Sequence, residues 1–426
     1  MTVRSLPTSP LLLGLLLAGC IVPPPPEEEP TDPGKPGPSE PSSFPPVRLV
    51  LPPALWESVG YVSVTRLQEG APAQEYVTAV PGGAQGFMAN VAEAGDVVGL
   101  SALDKAGRWM GATTVRVTED MDGPRPAIEP EVHEVPREYA TLQAAVDAAR
   151  SGDTVRVAPG TYTETVKLKS GIRLLGSGAP WTILDGGGQP VKLVDFSRAR
   201  DVVVAGFTFQ NVGMPTSGCA RPEDVMLCSG DWYAAAVYGS SSAAGPGEVE
   251  ASGLVTHNVF RQNHIGVLLH YRAPALVRNN VFLDNTNALV ANHYASEVAL
   301  VANNVFWGNT RYAIVSQAAY LHLWDNVIAR SAVGVHHRHV QTGDIRCNVF
   351  FENGVNGSDD HGPSRVQLGV DGNVEVDPRF ESPEAGDFHP RSGSPLLNAG
   401  CFGREGAVPG LSHPHIGAYG GALGRW

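Results

Sequence analysis

The sequence is poor in positive charge and in aromatic residues. Its 426 residues carry 30 Lys and Arg against 43 Asp and Glu, a formal net charge of −13, and Phe, Trp and Tyr make up 7%. Nucleic-acid binding normally needs a basic surface, so this composition argues against that partner. An acidic polymer would have to be held by local cations. Gly (49) and Pro (35) are abundant instead, which indicates a protein of strands and turns.

Long hydrophobic runs are also scarce, and the apolar stretch that follows Arg4 is short. Leu11–Leu17 is too short to span a bilayer and has the layout of a secretory signal peptide. It ends in Leu17-Ala18-Gly19-Cys20, which resembles a bacterial lipobox and implies lipid attachment to the Cys20 thiol. A cysteine that merely ends a signal peptide is the alternative. We expect a lipoprotein signal peptide at 1–19 and an exported protein, lipid-anchored in the bacterial cell envelope at the outer membrane or cell surface.

Composition divides the rest of the chain into three segments. Residues 20–46 are rich in Pro and Glu, which predicts a solvated linker behind the lipid anchor. Residues 47–120 contain short alternating apolar runs between Gly and Pro turns, which predict a small β-sandwich-like domain. A Pro- and charge-rich boundary follows, and residues 133–426 form the second domain.

Cysteine is rare, with five in the whole chain. Cys219 and Cys228 bracket a polar stretch, and outside the cytoplasm this spacing predicts a loop-closing disulfide. Two cysteines without a suitably spaced His pair make a poor zinc site, and we assign no metal ligands. Cys347 and Cys401 either pair or stay as two buried thiols, and the sequence leaves both open.

Five Asn-centred triplets recur along the middle of the chain. They are Asn258-Val259-Phe260, Asn280-Val281-Phe282, Asn304-Val305-Phe306, Asn326-Val327-Ile328 and Asn348-Val349-Phe350, at offsets of 22, 24, 22 and 22 residues. Five positions after each triplet Asn stand Asn263, Asn285, Asn309, Ser331 and Asn353. This period predicts a β-solenoid whose Asn amides hydrogen-bond along the stack at its turns, with Val and Phe in the core. A ligand role for the Asn residues is the alternative.

An amphipathic helix is predicted just before the first coils, with Thr141 as N-cap and Gly152 as its stop. Residues 140–186, which contain Thr-Leu-Gln-Ala-Ala-Val and Gly-Asp-Thr-Val-Arg-Val-Ala-Pro-Gly-Thr-Tyr, resemble the cap and opening coils of pectate-lyase-like right-handed parallel β-helix proteins. The Asn-Val-Phe units and the tail motifs at 377–380, 394–400 and 416–420 are similar to that family too. The resemblance implies an all-β fold, a right-handed parallel β-helix with an N-terminal capping helix behind the small sandwich-like domain. It implies no single activity, because this fold hosts lyases, hydrolases, epimerases, esterases and non-catalytic adhesins.

Polar residues fall into columns when the units are aligned on the triplet Asn. Position twelve reads His270, Asn292, Ser316 and Arg338; position thirteen reads Tyr271, His293, Gln317 and His339; His336 stands at position ten. Because neighbouring coils lie about 4.8 Å apart, these rows predict a polar strip along the solenoid. We interpret it as a polysaccharide groove whose substrate-binding residues are Tyr271, Asn292, His293, Ser316, Gln317 and His339. A solvated strip without function is the alternative, and His337 is predicted to point into the core.

Catalysis, if present, would be β-elimination, with His270, His336 or Arg338 as the base or as the partner of a uronate carboxylate. Glycosidases need two carboxylates about 5–9.5 Å apart, and the repeats supply few. Asp359-Asp360-His361 is the densest acidic spot, but only one of two adjacent strand residues can serve one face. Calcium is conceivable as a cofactor without a clear site, and no nucleophile elbow supports serine hydrolysis.

The function hypothesis is therefore a polysaccharide lyase, glycoside hydrolase or carbohydrate-binding protein of the cell envelope. The alternative is a non-catalytic adhesin or scaffold. The expected partners are a polysaccharide or surface glycan and, through the lipid anchor only, a membrane; we expect no nucleic acid and a monomer.

Overall fold

The computed structural model describes residues 47–50, 59–67, 74–80, 86–89, 97–105, 109–116, 131–215, 234–241, 251–271, 273–292, 298–339, 343–401 and 415–420. Cys20, Cys219, Cys228 and His293, like the signal peptide and linker expected at 1–46, lie outside these residues. Within the described ranges no helix is long and apolar enough to cross a membrane.

Two antiparallel sheets form the N-terminal part. Strands β2 (Val59–Leu67), β3 (Gln74–Ala79), β5 (Val97–Asp104) and β6 (Trp109–Arg116) make a four-stranded sheet in the order β3-β2-β5-β6. Strand β1 (Val47–Val50) pairs with β4 (Gly86–Ala89).

The remainder is a parallel β-helix built from three sheets, which confirms the fold prediction. Sheet A contains β7 (Val132–Val135), β8 (Thr154–Val157), β11 (Arg173–Gly176), β14 (Val202–Ala205), β17 (Gly253–Thr256), β20 (Ala275–Arg278), β23 (Val298–Ala302), β26 (Tyr320–Trp324) and β29 (Ile345–Arg346). Sheet B contains β9 (Gly160–Tyr162), β12 (Thr182–Asp185), β15 (Thr208–Gln210), β18 (Val259–Arg261), β21 (Val281–Leu283), β24 (Val305–Trp307), β27 (Val327–Ala329), β30 (Val349–Phe351) and β32 (Val374–Glu375). Sheet C contains β10 (Val166–Lys167), β13 (Lys192–Asp195), β16 (Ala235–Ser240), β19 (Ile265–His270), β22 (Asn287–Asn292), β25 (Tyr312–Gln317), β28 (Val333–Arg338) and β31 (Val355–Asp359). The tail adds a hairpin of β33 (Phe380–Ser382) and β34 (Asp387–Pro390) around a 3-10 turn at Pro383–Ala385.

Helix α1 (Leu142–Ala148) precedes the first full coil and buries Leu142, Ala145 and Val146 in the core. The Thr141 side chain accepts a hydrogen bond from the Ala144 amide at 3.1 Å, which confirms the predicted N-cap. The helix ends before Gly152, because Ala149 already has extended backbone angles. The Lys169 ammonium donates a hydrogen bond to the carbonyl of Ala149, the C-cap residue of this helix, at 2.6 Å.

Asn side chains form a continuous ladder at the corner between sheets A and B. The predicted residues Asn258, Asn280, Asn304, Asn326 and Asn348 are all buried, and each accepts on Oδ1 from the neighbouring coil or donates to it at 2.9–3.2 Å. The ladder continues to Asn373, which accepts from Nδ2 of Asn348 at 3.1 Å. A second ladder of Asn263, Asn285 and Asn309 follows the corner between sheets B and C. The structural interpretation of these Asn residues is thereby confirmed.

The residue before each ladder position has left-handed backbone, which turns the chain sharply at every corner. At the first corner φ lies at 53–56° in His257, Asn279, Asn303, Asp325 and Cys347. At the second corner φ lies at 48–66° in Gln262, Asp284, Gly308, Arg330 and Glu352. Asn, Asp and Gly, which reach this region at the lowest cost, occupy five of these ten positions, and His, Cys, Gln, Arg and Glu occupy the other five.

The triplet Val and Phe face opposite sides of sheet B. The Phe rings point inward and stack coil upon coil, with centroids 5.1 Å apart for Phe209 and Phe260 and 4.7 Å apart for Phe260 and Phe282. The Val side chains point outward and are buried by the C-terminal tail, through residues such as Phe380 and Ile416. Both therefore belong to apolar cores, as predicted, but to two separate ones.

The tail is fastened to the first corner by covalent and polar contacts. Cys347 and Cys401 form a disulfide with Cα atoms 5.9 Å apart, which settles the pairing that the sequence left open. The Cys401 amide donates to Oδ1 of Asp325 at 2.7 Å, and Nδ2 of Asn279 donates to the Ala418 carbonyl at 2.9 Å.

The four-stranded N-terminal sheet covers the outer face of sheet A. Ala112 packs in one apolar cluster with Leu254, Leu276 and Leu300. Nη1 of the buried Arg278 donates to Oγ1 of Thr65 at 2.8 Å. Two of the three outer faces of the β-helix are thus lined by other parts of the chain. The third, the outer face of sheet C, carries the predicted site residues His270, Asn292, Gln317, His336 and Arg338.

Candidate binding and catalytic site on sheet C

One column of polar side chains crosses four neighbouring strands on the outer face of sheet C. Strand register pairs His270 with Asn292, Asn292 with Gln317, and Gln317 with Arg338. These four residues are called the polar strip below. Three of them, His270, Asn292 and Arg338, were predicted to share one column. The fourth, Gln317, was predicted to lie in the next column, one position later.

Ser316 does not belong to the strip, which corrects its predicted position. It pairs with Ala291 and His337 in a column that faces the interior, is buried, and donates to the Ala319 carbonyl at 3.2 Å. The cause is one extra residue, Arg311, in the turn before β25. The amides of Arg311 and Tyr312 both donate to the Thr286 carbonyl, so every later residue of β25 is shifted by one position.

The strip is buried over most of its length. His270 and Asn292 are each 6% exposed and Gln317 is 7% exposed. Asn292 Oδ1 and Gln317 Oε1 are buried acceptors without a hydrogen-bond partner in the described part of the chain. At the other end the Arg338 side chain is 27% exposed and the side chain of Asp360 is 39% exposed, so the strip opens to solvent there.

His270 begins the strip as a neutral ring. Burial, with a smaller contribution from the nearby Lys192 ammonium, lowers the pKa of His270 to about 4. Its Nδ1 lies 3.4 Å from the Tyr238 hydroxyl, and its ring centroid lies 4.0 Å from that of Tyr271. Tyr271 is half-buried at the end of the strand with a φ of 46°, so it contacts His270 and does not continue the strip.

A second group, here called the terminal cluster, consists of His336, Arg338, Ser358 and Asp360. His336 Nδ1 lies 2.9 Å from Ser358 Oγ, and His336 Nε2 lies 3.5 Å from Asp360 Oδ1. Arg338 Nε lies 3.1 Å from the other oxygen of Asp360. Burial lowers the pKa of His336, and the Asp360 carboxylate opposes that shift, so the imidazole is neutral at pH 7.

Aromatic and cationic side chains support His336 from the preceding coil. The Tyr312 ring stacks on the imidazole at 4.8 Å between centroids and 18° between planes. The Arg311 guanidinium lies 4.8 Å from the centroid of the Tyr312 ring, and its Nη1 is a buried donor without a partner among the described residues. These contacts fix the ring plane of His336, which turns one nitrogen to Ser358 and the other to Asp360.

His337 points inward, as predicted. It is buried between Ser316 and Asp359 in the interior column, and burial lowers its pKa to about 4. Asp359 shares this inner side, and a hydrogen bond from the His361 amide, the largest influence, lowers its pKa. Asp359 and Asp360 thus serve opposite faces, so the two adjacent carboxylates do not form a glycosidase pair. His339, outside the strip, is exposed, and its ring centroid lies 4.7 Å from that of His361.

Sequence reasoning did not find Ser358, Tyr312 or Arg311. Ser358 stands two coils beyond Val315 in the same outward column as His336, so counting strand register would have found it. Extending the triplet alignment to the fifth unit would also have found it, because Ser358 stands ten positions after Asn348, as His336 stands ten positions after Asn326.

Residues 230–368, about a third of the chain, match a family described as NosD, periplasmic copper-binding protein. No curated protein matches the chain. Among solved structures, the chain is similar to a PL6 family alginate lyase, AlyGC, with 14% identity, coverage of 52% of this chain and 32% of that one, and a TM-score of 0.35. It is also similar to a family 28 exopolygalacturonase of Yersinia enterocolitica, with 14% identity, coverage of 79% and 78%, and a TM-score of 0.29. It is similar as well to the pectin methylesterase PemA of Erwinia chrysanthemi, with 11% identity, coverage of 61% of this chain and 98% of that one, and a TM-score of 0.26. The chain spans about a third of the length of the alginate lyase that it matches.

Proposed function

We propose that the protein binds an extended, acidic polysaccharide through the polar strip, as a lipoprotein anchored at Cys20 in the cell envelope. The observation that carries this proposal is the pair of buried acceptor oxygens on Asn292 and Gln317 in adjacent coils. A buried polar atom without a partner costs about 1–3 kcal/mol, and a ligand hydroxyl that enters from the end where the strip opens to solvent at Arg338 would remove that cost. Neighbouring coils repeat at about 4.8 Å, so the strip offers one polar group per coil to a chain-like ligand.

Local positive charge supports an acidic glycan despite the negative net charge of the protein. The Lys192 ammonium lies 4.0 Å from the centroid of the Tyr238 ring near the start of the strip, and Arg338 stands at its other end. Cations at both ends of a hydrogen-bonding column suit a ligand that carries carboxylates.

β-Elimination has weaker support than binding. His336 is a neutral base at pH 7, but the Arg338 guanidinium is held by Asp360 at 3.1 Å, which competes with a uronate carboxylate for the same cation. His270, the other candidate base, is buried. Binding is therefore the function proposed, and elimination is an outcome that the assay below would reveal.

Copper binding is the second candidate, because the matched family description names that metal and imidazole is a good copper ligand. The exposed His339 and His361 offer two such rings. The described residues bring no third ligand atom to them: the two three-residue groups with metal-ligand spacing are Glu131, His133 and Asp153, and Asp325 with the disulfide-bonded Cys347 and Cys401. The fit is incomplete, and no copper site is assigned.

The test is binding of polygalacturonate, alginate and neutral xylan to the full chain, measured by calorimetry, with product absorbance followed in parallel. We expect binding of an acidic glycan, and at least a tenfold weaker affinity in the double variant Asn292→Ala/Gln317→Ala. Ser316→Ala is the matched control, since it removes an adjacent side chain that faces the interior. Equal affinity in the double variant and the control, or no glycan bound, would overturn the proposal and favour an adhesin or scaffold. Absorbance from an unsaturated uronate would add lyase activity.

A further inference from the structure

We infer that Ser358, His336 and Asp360 form a nucleophile, base and positioning carboxylate that hydrolyse carboxylic esters. Ser358 Oγ and His336 Nδ1 are 2.9 Å apart, which is hydrogen-bond distance, and Asp360 Oδ1 lies 3.5 Å from the other ring nitrogen. A nucleophile in contact with a base that is itself oriented by a third group is the arrangement that activates serine. The Asp360 contact is long for a hydrogen bond, and such contacts tighten in the substrate complex.

The fold itself brings these groups together. His336 and Ser358 are register partners in the adjacent strands β28 and β31, so both point outward and their backbones are fixed about 4.8 Å apart. Asp360 comes two residues after Ser358, on the same side, where its carboxylate also pairs with Arg338. The contact between His336 and Ser358 thus follows from sheet geometry, and Asp360 is the first residue after β31.

Four charged side chains act on His336. The positive groups are Arg338 and Arg311, and the negative groups are Asp360 and, from the inner side, Asp359. Ser358 is half-buried and Asp360 is exposed, so a substrate can approach from the solvent side. This site lies at the open end of the polar strip and does not need the buried part of the strip to be accessible.

Water is the only co-reactant that ester hydrolysis at this site requires. Ser358 Oγ attacks the acyl carbon and its proton passes to His336 Nδ1, while Asp360 holds the Nε2–H of the imidazolium. The ester C–O bond breaks, and the alcohol leaves with the proton from Nδ1. Water then attacks the acyl-enzyme with His336 again as base, which releases a carboxylic acid and restores the Ser358 hydroxyl. The Arg338 guanidinium, which Asp360 holds at 3.1 Å, is the positive charge of the cluster that offsets the charge of the oxyanion.

The substrate class is a carboxylic ester. An O-acetyl group on a bound glycan is the version that rests on the proposed function. A simple aryl ester is independent of it, and the two can therefore be tested separately.

The first experiment uses the full chain with p-nitrophenyl acetate and, in a second arm, an O-acetylated acidic glycan. Ser358→Ala should reduce aryl-ester hydrolysis at least a hundredfold, to the level without protein, while the exposed control Ser392→Ala retains it. A fluorophosphonate probe should label Ser358, as located by peptide mass spectrometry. Undiminished hydrolysis in Ser358→Ala, or neither hydrolysis nor labelling in the wild-type protein, would overturn the inference. Loss of glycan binding with intact aryl-ester hydrolysis would instead count against the proposed function alone.

Asp360→Asn tests the positioning role. The Asp360 carboxylate raises the pKa of His336 against the effect of burial, so its removal should move the acidic limb of the pH–rate profile to lower pH and reduce the rate. A purely structural role for Asp360 would leave the acidic limb where it is. Thermal unfolding of each variant establishes that its fold is retained.

Discussion

Oδ1 of Asn326 accepts two hydrogen bonds from Asn304 in the preceding coil, one from the backbone amide and one from the side-chain Nδ2, both at 3.0 Å. Nδ2 of Asn304 also donates to the Val277 carbonyl at 2.9 Å. Each ladder side chain therefore binds backbone atoms of the preceding coil and the side-chain oxygen of the next ladder residue.

Asn304→Ala should lower the free energy of unfolding by about 2–4 kcal/mol, because it leaves several buried donors and acceptors unpaired at once. The measurement is the urea midpoint and slope. Gln367→Ala is the control, since it removes an exposed carboxamide and should change stability by less than about 0.5 kcal/mol. Equal midpoints for the two variants would show that the ladder contributes little.

Buried histidines predict a loss of stability in acid. Burial lowers the pKa of His264, His270 and His337 to about 4, whereas an unfolded histidine titrates near 6.5. Above pH 6.5 neither state binds these protons. Between pH 6.5 and 4 only the unfolded state does, so the free energy of unfolding falls by up to about 3 kcal/mol for each histidine. Urea midpoints from pH 7 to pH 4 measure it.

The matched pair for this pH prediction is His337→Asn and His361→Asn. His337 is buried and His361 is exposed, so only the first substitution should flatten the dependence of stability on pH. The same slope in both variants would contradict a protonation cost at His337.

The N-terminal sheet packs closely on sheet A at Gly99, which has no room for a side chain. A Cβ atom placed on Gly99 would lie 2.4 Å from Cδ1 of Leu276, whereas a Cβ on Gly362 would meet nothing within 4 Å. Gly99→Ala should therefore destabilise the protein by about 1–3 kcal/mol through overpacking, and Gly362→Ala should not. Thermal unfolding of the two variants measures this difference, and a Tm for Gly99→Ala at or above that of the wild type would show that the two sheets separate without cost.

The Cys347–Cys401 disulfide predicts a redox-dependent stability. It links residues 54 positions apart, and loop closure of that length constrains the unfolded chain by about 4 kcal/mol. Cys401→Ser should lower the Tm, and a reducing agent should lower the Tm of the wild type by more than that of the variant, which retains only the predicted Cys219–Cys228 disulfide. Thiol titration under denaturing conditions reports whether the bond has formed. A wild-type protein that titrates both thiols without reductant would contradict the pairing.

The architecture was largely predictable because it depends on a local repeat. The spacing of Asn258, Asn280 and Asn304 fixes the coil length, and the buried ladder at the first corner uses Asn in each of these coils. Asn373 escaped the pattern because it stands 25 residues after Asn348 and is followed by Val374-Glu375 rather than an apolar pair.

The site was less predictable because it depends on contacts between coils. The column that contains His270 and Asn292 could be read from spacing, but burial of that column depends on the rest of the folded chain. The packing of the N-terminal sheet on Leu276 could not be predicted from the sequence either. An apolar residue in a strand has the same sequence pattern whether it packs inside the β-helix or against another sheet.

Arg311 has a consequence for how the surface of this solenoid can vary. One additional residue in the turn before β25 exchanges the roles of Ser316 and Gln317, while the Asn ladders on either side of the turn remain in step. The length of this turn thus decides which residues of the following strand point inward and which point outward. Insertions and deletions of one residue can re-sort a whole strand between interior and ligand-facing positions, and so alter the chemistry of a coil without a single substitution in it.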